Sequence, residues 1–348
     1  MTIFEGIFSM SGIGIIGAGV MGRQHAASAM LHSTDELIGV YAHDDAQAQS
    51  LAKLHGVIAY PSLDDLLASD EIDGVVVATP TDTHREVAEA AMRAGKHVFV
   101  EKPLARTLAD AESMRDVARE TDRVLAVGHV IRYFPEYRAI ATAIERGDIG
   151  TPAVATFGRR CQQPDWAPDH WHTSMERSGG VVLDMMIHDV DLVRWYFGEP
   201  TRVYARCIGS DRYDGIDYAL ATLHVPDGPI CHLFGSWAEP VGFSQSAEIC
   251  GNLGMLEYDS RGRDELQLAH HGSAADAVTA LPPPPADARD PFMTQQADWL
   301  NETRGKGTLV NDANWAIGSM RIALAMLESQ RLGTPVELVP AARVEVPA

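Results

Sequence analysis

The stretch Ile13-Gly14-Ile15-Ile16-Gly17-Ala18-Gly19-Val20-Met21-Gly22 decides the fold. A short apolar run enters a G-x-G-x-x-G turn, and residues 23–31 continue with helix formers. Strand, glycine turn and helix in that order are the context a dinucleotide-binding fingerprint requires. Gly17 serves the tight turn, Gly19 the close approach of the backbone to a pyrophosphate, and Gly22 the packing of helix on strand. The helix N-terminus, with Val20 and Met21 in its first turn, then offers free N–H groups to the phosphates. The plainer alternative is a set of glycines serving only a turn.

Working outward, residues 36–41 form the second strand, and its end should carry a carboxylate for the adenosine ribose of NAD. Ala42 stands there instead, followed by His43, Asp44 and Asp45. The missing acid leaves room for a 2′-phosphate, yet no Arg or Lys is at hand to bind one, and the two aspartates would repel it. NAD and NADP both stay open, with a slight tilt to NAD. His43 either meets the adenosine end or is an exposed turn residue.

Strands at 56–60, 72–78, 96–100 and 123–127 alternate with helices at 62–68, 83–94 and 107–120, the pattern of a parallel sheet covered on both faces. Open α/β sheets bind ligands beyond their strands' carboxyl ends, which makes Thr79, Pro80, Thr81 and His84 candidate cofactor contacts. Asp82 or Thr83 could equally cap the next helix. The strand 96–100 ends in Glu101-Lys102-Pro103, where Glu101 and Lys102 are candidate cofactor contacts and a lysine on a proline-stiffened turn is placed to reach reacting atoms. His129, Arg132 and Tyr133 line the exit from this half, with His129 and Arg132 candidate substrate contacts.

The second half is centred on residues 178–198, which open on Ser178-Gly179-Gly180. At helical pitch Asp184, His188 and Asp191 share a stripe beside an apolar one of Leu183, Ile187, Val190 and Val193. A histidine one turn from a carboxylate suits a general base; an ordinary capped pair, or a mixed oxygen and nitrogen set for a divalent ion, are the alternatives. The glycine pair leaves room near the main chain for a ligand. Strand-like stretches at 153–160, 201–208, 217–224, 230–236 and 246–250 predict a mostly antiparallel sheet. Trp166, Trp171 and His172 sit in a proline-punctuated loop suited to stacking on sugar rings, or to plain loop packing. Residues 281–285 read as a stiff connector and 315–331 as a helix.

With 348 residues, 46% of them apolar, the chain can bury the core of two domains. A formal net charge of −20 argues against nucleic acid and anionic membranes as partners. Cys161, Cys207, Cys231 and Cys250 have no C-x-x-C spacing, so neither a zinc site nor a disulfide framework is signalled, and no resident metal is expected. Residues 1–10 make a poor signal peptide and no run of about eighteen apolar residues spans a bilayer, which points to the cytoplasm.

The glycine turn, Ala78-Thr79-Pro80-x-x-x-His84, Glu101-Lys102-Pro103 after a strand, and Gly179-Gly180-x-x-x-Asp184-x-x-x-His188-Asp189-x-Asp191 resemble, in that order and at these spacings, the GFO/IDH/MocA oxidoreductase family over residues 13–336. Within it they are most similar to the inositol dehydrogenase branch. The resemblance implies hydride transfer between a secondary hydroxyl of a sugar or cyclitol and a nicotinamide. Lys102 would hydrogen-bond the reacting hydroxyl, Asp184 would bind substrate and His188 would be the acid/base, while Ala42 departs from the Asp common in NAD-dependent members. It also implies a sheet with one open face and a homodimer or homotetramer. The expected class is α/β: an extension at 1–10, a doubly wound Rossmann domain at 11–133 and an α+β domain at 134–348. The rivals are an NADPH-dependent keto-sugar reductase, a glycosidase using NAD transiently, and a dinucleotide-sensing regulator.

Overall fold

A computed structural model of the chain describes residues 11–32, 35–164, 170–209, 215–271, 278–281, 290–307 and 309–338. The expected extension at 1–10, Trp166 and most of the 281–285 connector lie outside the described residues. The chain divides into two units, Met1–Gly128 with Arg289–Ala313, and His129–Ala288 with Asn314–Ala348. A continuous division at 133/134 therefore misses a segment from far down the chain that joins the first unit.

In the first unit, strands β1 (Ser11–Ile16), β2 (Asp35–Tyr41), β3 (Ile58–Ala59), β4 (Gly74–Val77), β5 (His97–Val100) and β6 (Leu125–Val127) form a parallel sheet in the order β3-β2-β1-β4-β5-β6. All four residues of β4 are buried, as a strand covered on both faces demands. The helices are α1 (Val20–Ala29), α2 (Asp45–His55), α3 (Leu63–Leu67), α4 (His84–Arg93) and α5 (Leu108–Thr121). Side-chain oxygens of Asp44, Ser62 and Thr107 cap α2, α3 and α5 by accepting from main-chain N–H groups. The order reverses between β1 and β4, the switch point at which such sheets bind ligands.

In the second unit come helices α6 (Pro135–Glu145), α7 (Met175–Ser178) and α8 (Ile187–Phe197), and strands β7 (Pro152–Gln162), β8 (Arg202–Ile208), β9 (Tyr218–His224), β10 (Ile230–Ser236), β11 (Ala238–Gly251), β12 (Gly254–Asp259), β13 (Arg263–His270) and β14 (Val278–Ala280). Helix α9 (Pro291–Thr303) belongs to the first unit; α10 (Ala313–Leu332) and β15 (Val336–Glu337) end the described chain. The nine strands run β14-β13-β12-β11-β7-β10-β9-β8-β15, antiparallel except for β10 beside β7. Burial alternates strictly along β8, so one face packs and the other is open. No helix among the described residues is long and apolar enough to cross a membrane.

Candidate active site

The three glycines of the first turn have separable causes. Gly17 has φ +104°, and a Cβ there would meet Ala78 O at 2.4 Å; at Gly22 it would meet Gly17 O at 1.9 Å. Both serve the chain's own packing. Gly19 is different: a Cβ would meet nothing within 4 Å. It is the N-cap of α1, with no side-chain cap and no acidic residue in the first turn. The main chain thus opens outward at a bare helix N-terminus, which fits a dinucleotide phosphate.

At the end of β2, Ala42 is buried and His43 exposed. Asp44 accepts from Ala46 N at 2.9 Å and Gln47 N at 3.2 Å. The Gln47 amides, main-chain and side-chain, hold its carboxyl below the usual range. Asp44 is therefore a helix cap, engaged with the first turn of α2.

Beyond β4, Thr79 and Pro80 are partly accessible, whereas Thr81 and His84 are buried. His84 has Nδ1 at 3.0 Å from Pro103 O and Nε2 at 3.0 Å from Thr79 O. Burial pulls its pKa down against the pull of those carbonyls. It ties the end of β4 to the turn after β5 and does not present its ring to a cofactor. Thr83 does not cap α4; its hydroxyl donates back to Pro80 O at 2.7 Å.

Lys102 is half-buried and its peptide to Pro103 is cis. Glu101, expected at the cofactor, instead points inward: Oε1 lies 2.6 Å from His25 Nε2, and Oε2 accepts from Lys102 N at 3.0 Å. Burial raises its pKa most, but the His25 bond and the Lys102 charge outweigh it and hold the carboxyl below its ordinary value.

In the second unit, Gly179 and Gly180 have φ +80° and +67°, and added Cβ atoms would meet Leu183 Cβ at 2.7 Å and Met175 Sδ at 3.0 Å. The glycine pair thus serves the turn and packing, not space for a ligand. The Ser178 hydroxyl donates to His172 O at 2.6 Å, tying the loop to this turn. Trp171 and His172 are partly accessible and stacked, centroids 3.7 Å apart.

The expected regular helix over 184–198 begins with a π turn, Val182–Met186, before α8. Such wide turns gather at functional sites because they re-aim side chains. From Ser178 to Arg194 every residue is buried except Asp184 and His188. Asp191, expected on the same stripe, is sealed: it accepts from Arg132 Nε at 2.7 Å, Arg132 Nη2 at 2.8 Å and Trp315 Nε1 at 2.6 Å. Burial pushes its carboxyl up, but Arg132 dominates and leaves it at about 2. This removes Asp191 from any metal set with Asp184 and His188. It also corrects the substrate-binding expectation for Arg132, whose guanidinium is committed to Asp191 and faces Trp315 at 4.3 Å; His129 is buried outright.

Asp189 is also buried. Arg159 Nε donates to its Oδ1 at 2.9 Å, and Arg159 Nη1 reaches Gln245 Oε1 at 2.8 Å. Neither this pair nor the His25 contact to Glu101 is expected from the sequence. A signal for His25 existed, since Gly22, His25, Ala26 and Ala29 share the buried stripe of α1.

The glycine turn at the head of α1, beside the switch point of a parallel sheet, is the build of a dinucleotide-binding domain. Residues 11–129 match the oxidoreductase family with an NAD-binding Rossmann fold, and 137–257 match the GFO/IDH/MocA C-terminal domain. An inositol 2-dehydrogenase of Rhizobium meliloti (strain 1021) is 31% identical over 83% of this chain and 85% of its own. A 1,5-anhydro-D-fructose reductase of Ensifer adhaerens is 34% identical over 93% and 98%. The crystal structure of GenD2 from gentamicin A biosynthesis in complex with NAD superposes with a TM-score of 0.83 at 27% identity, covering 95% of this chain and 97% of that one. The chain belongs to the GFO/IDH/MocA oxidoreductase family.

Proposed function

We propose that this protein oxidises a secondary hydroxyl of a sugar or cyclitol, passing hydride to a nicotinamide dinucleotide. The observation that carries the reading is the buried run from Ser178 to Arg194 broken only at Asp184 and His188. His188 takes up the hydroxyl proton, Asp184 binds substrate, and Lys102 donates to the reacting oxygen and favours its developing negative charge. The bound dinucleotide supplies the hydride acceptor. The main chain of Gly19, Val20 and Met21 at the head of α1 holds its phosphates, with Gly17 and Gly22 shaping the turn, and Thr79 and Pro80 line its path. Trp171 and His172 contact the sugar. NAD is the favoured cofactor, since Asp44 and Asp45 oppose a 2′-phosphate.

The test is the initial rate of reduction of NAD and of NADP against inositols, aldoses and anhydro sugars. Turnover with a polyol supports the reading; silence with cofactor still bound removes it. Lys102→Ala should lower kcat by roughly 10²- to 10⁴-fold with cofactor affinity kept, and Ala42→Asp should shift preference further to NAD. A second reading, reduction of a keto sugar with NADPH, is favoured by the likeness to an anhydro-fructose reductase, and the reverse assay separates the two.

On the open sheet face Tyr204, Ile208, Leu220 and Ile230 are exposed on adjoining strands. A second copy covering this face explains them, giving a homodimer or homotetramer. Light scattering of Leu220→Lys at low concentration checks it: a mass unchanged from wild type would contradict this face. Four free cysteines fit a cytoplasmic setting.

A further inference from the structure

Glu101 ends a directed chain of hydrogen bonds that starts on α9. Gln296 Nε2 lies 3.2 Å from His25 O and 2.9 Å from His25 Nδ1. The carbonyl only accepts, so the Gln296 nitrogen must be the atom facing His25, and its second hydrogen goes to Nδ1. With Nδ1 accepting, the ring hydrogen sits on Nε2 and is donated to Glu101 Oε1 at 2.6 Å. The remaining end of Gln296, Oε1, lies 3.3 Å from His32 Nε2. Edges of Phe99 and Phe292 clamp the His25 ring, with centroids at 5.2 and 5.8 Å. Asp290 anchors the start of α9, its Oδ1 accepting from Met293 N at 2.9 Å and from Ser28 Oγ at 3.2 Å. Every donor in the chain points toward the Glu101 carboxylate, whose other oxygen accepts from the Lys102 main chain. A Cβ at Gly128 would come within 3.2 Å of that carboxylate, so only glycine leaves the room the carboxylate occupies.

We propose that His25 and Gln296 are positioning residues that act through Glu101 to fix the backbone of Lys102, and hence its ammonium, for the reaction. The proposal rests on the role given to Lys102 above. A donor chain that ends on a buried anion holds that anion in one place, and a shift of an ångström at a reacting group costs on the order of 10²-fold in rate. The loop after β5 is thus set from α9.

The experiment compares Gln296→Met, which removes both donors at similar volume, with Gln296→Glu, which puts acceptors in their place. In each folded variant the Kd for NADH, KM and kcat for the best polyol, and the primary deuterium isotope effect are measured. Expected are Kd and KM within about threefold of wild type, kcat lower by about 10- to 100-fold with Gln296→Glu the worse, and a larger isotope effect as hydride transfer becomes limiting. A purely structural role would reduce the folded fraction and leave the isotope effect alone, which would overturn the proposal, as would normal kcat in both variants. Should both fail to fold, His25→Gln, whose amide can still donate to Glu101, is expected to keep at least about tenfold more kcat than His25→Leu; equal values would overturn it. A Lys102→Met enzyme with full turnover would topple the functional reading itself. An inactive Lys102→Met beside normal Gln296 and His25 variants would remove only this inference.

Discussion

Asp189 and Asp191 stand two residues apart on α8, both sealed from water and both paired with an arginine, yet their acidities move in opposite directions. Burial pushes Asp189 up to about 6, since Arg159 answers only one of its oxygens and Oδ2 has no partner among the described residues. Asp191 is held at about 2 because both oxygens are bonded to Arg132, with Trp315 and Ser319 adding to Oδ1. Burial acts on each, so the difference lies in how completely the arginine and its neighbours replace water. The fully bonded pair fixes the helix that carries His188; the half-bonded one is held against α8 with less gain.

The largest test breaks the stronger pair. Asp191→Ala leaves Arg132 buried without its counter-charge and should cost about 3–5 kcal/mol in urea unfolding; a loss under about 1 kcal/mol would show that Trp315 alone suffices to hold Arg132. Next is pH. For Asp189 the folded value of about 6 lies above an unfolded value near 3.9. Its contribution is therefore full below about pH 4 and lost as pH rises through 6, a fall of roughly 3 kcal/mol at most. Asp191, depressed to about 2, works in the other direction, stabilising above about pH 4 and losing that as pH falls toward 2. Urea midpoints from pH 4 to 6.5 should slope less in Asp189→Asn than in wild type, and equal slopes would refute the assignment. The smallest effect sharpens the contrast: Arg159→Met with Asp189→Leu should stay within about 1 kcal/mol of neutral, with Gln245 losing one donor, whereas the same treatment of Arg132 and Asp191 should cost more, since Trp315 and Ser319 lose their acceptor.

Local signals were legible in the sequence, distant ones were not. The turn at Gly17-Ala18-Gly19 and the caps Ser62 and Thr107 act within a few residues, so their residue types declare them. The π turn is invisible because a helical period assumes a constant pitch, and it re-aims Asp184 relative to α8; Asp191 follows His188 by three residues on regular helix and is sealed by Arg132 and Trp315 instead. Arg132 reads as a ligand contact because its partner is 59 residues away; Gln296 carries no local signal because its partner is 271 residues away. Strands β12 to β15 and helices α2, α6 and α9 carry no motif that sets them apart in the sequence. The glycines 179 and 180 stand out in the sequence, but sequence cannot tell space left for a ligand from space filled by Leu183.

Trp299 of α9 lies against Gly74, where a Cβ would come within 2.8 Å of its ring, and beside Phe99 at 5.9 Å between centroids. A nascent chain that has reached only Gly128 holds all six strands of the first sheet but leaves that slot empty. The ribosome must add most of the other unit before α9 emerges to fill it. Chains arrested at Gly128 should accordingly be cut by protease far faster than chains arrested beyond residue 338, and the unit built first in translation is among the last to be finished.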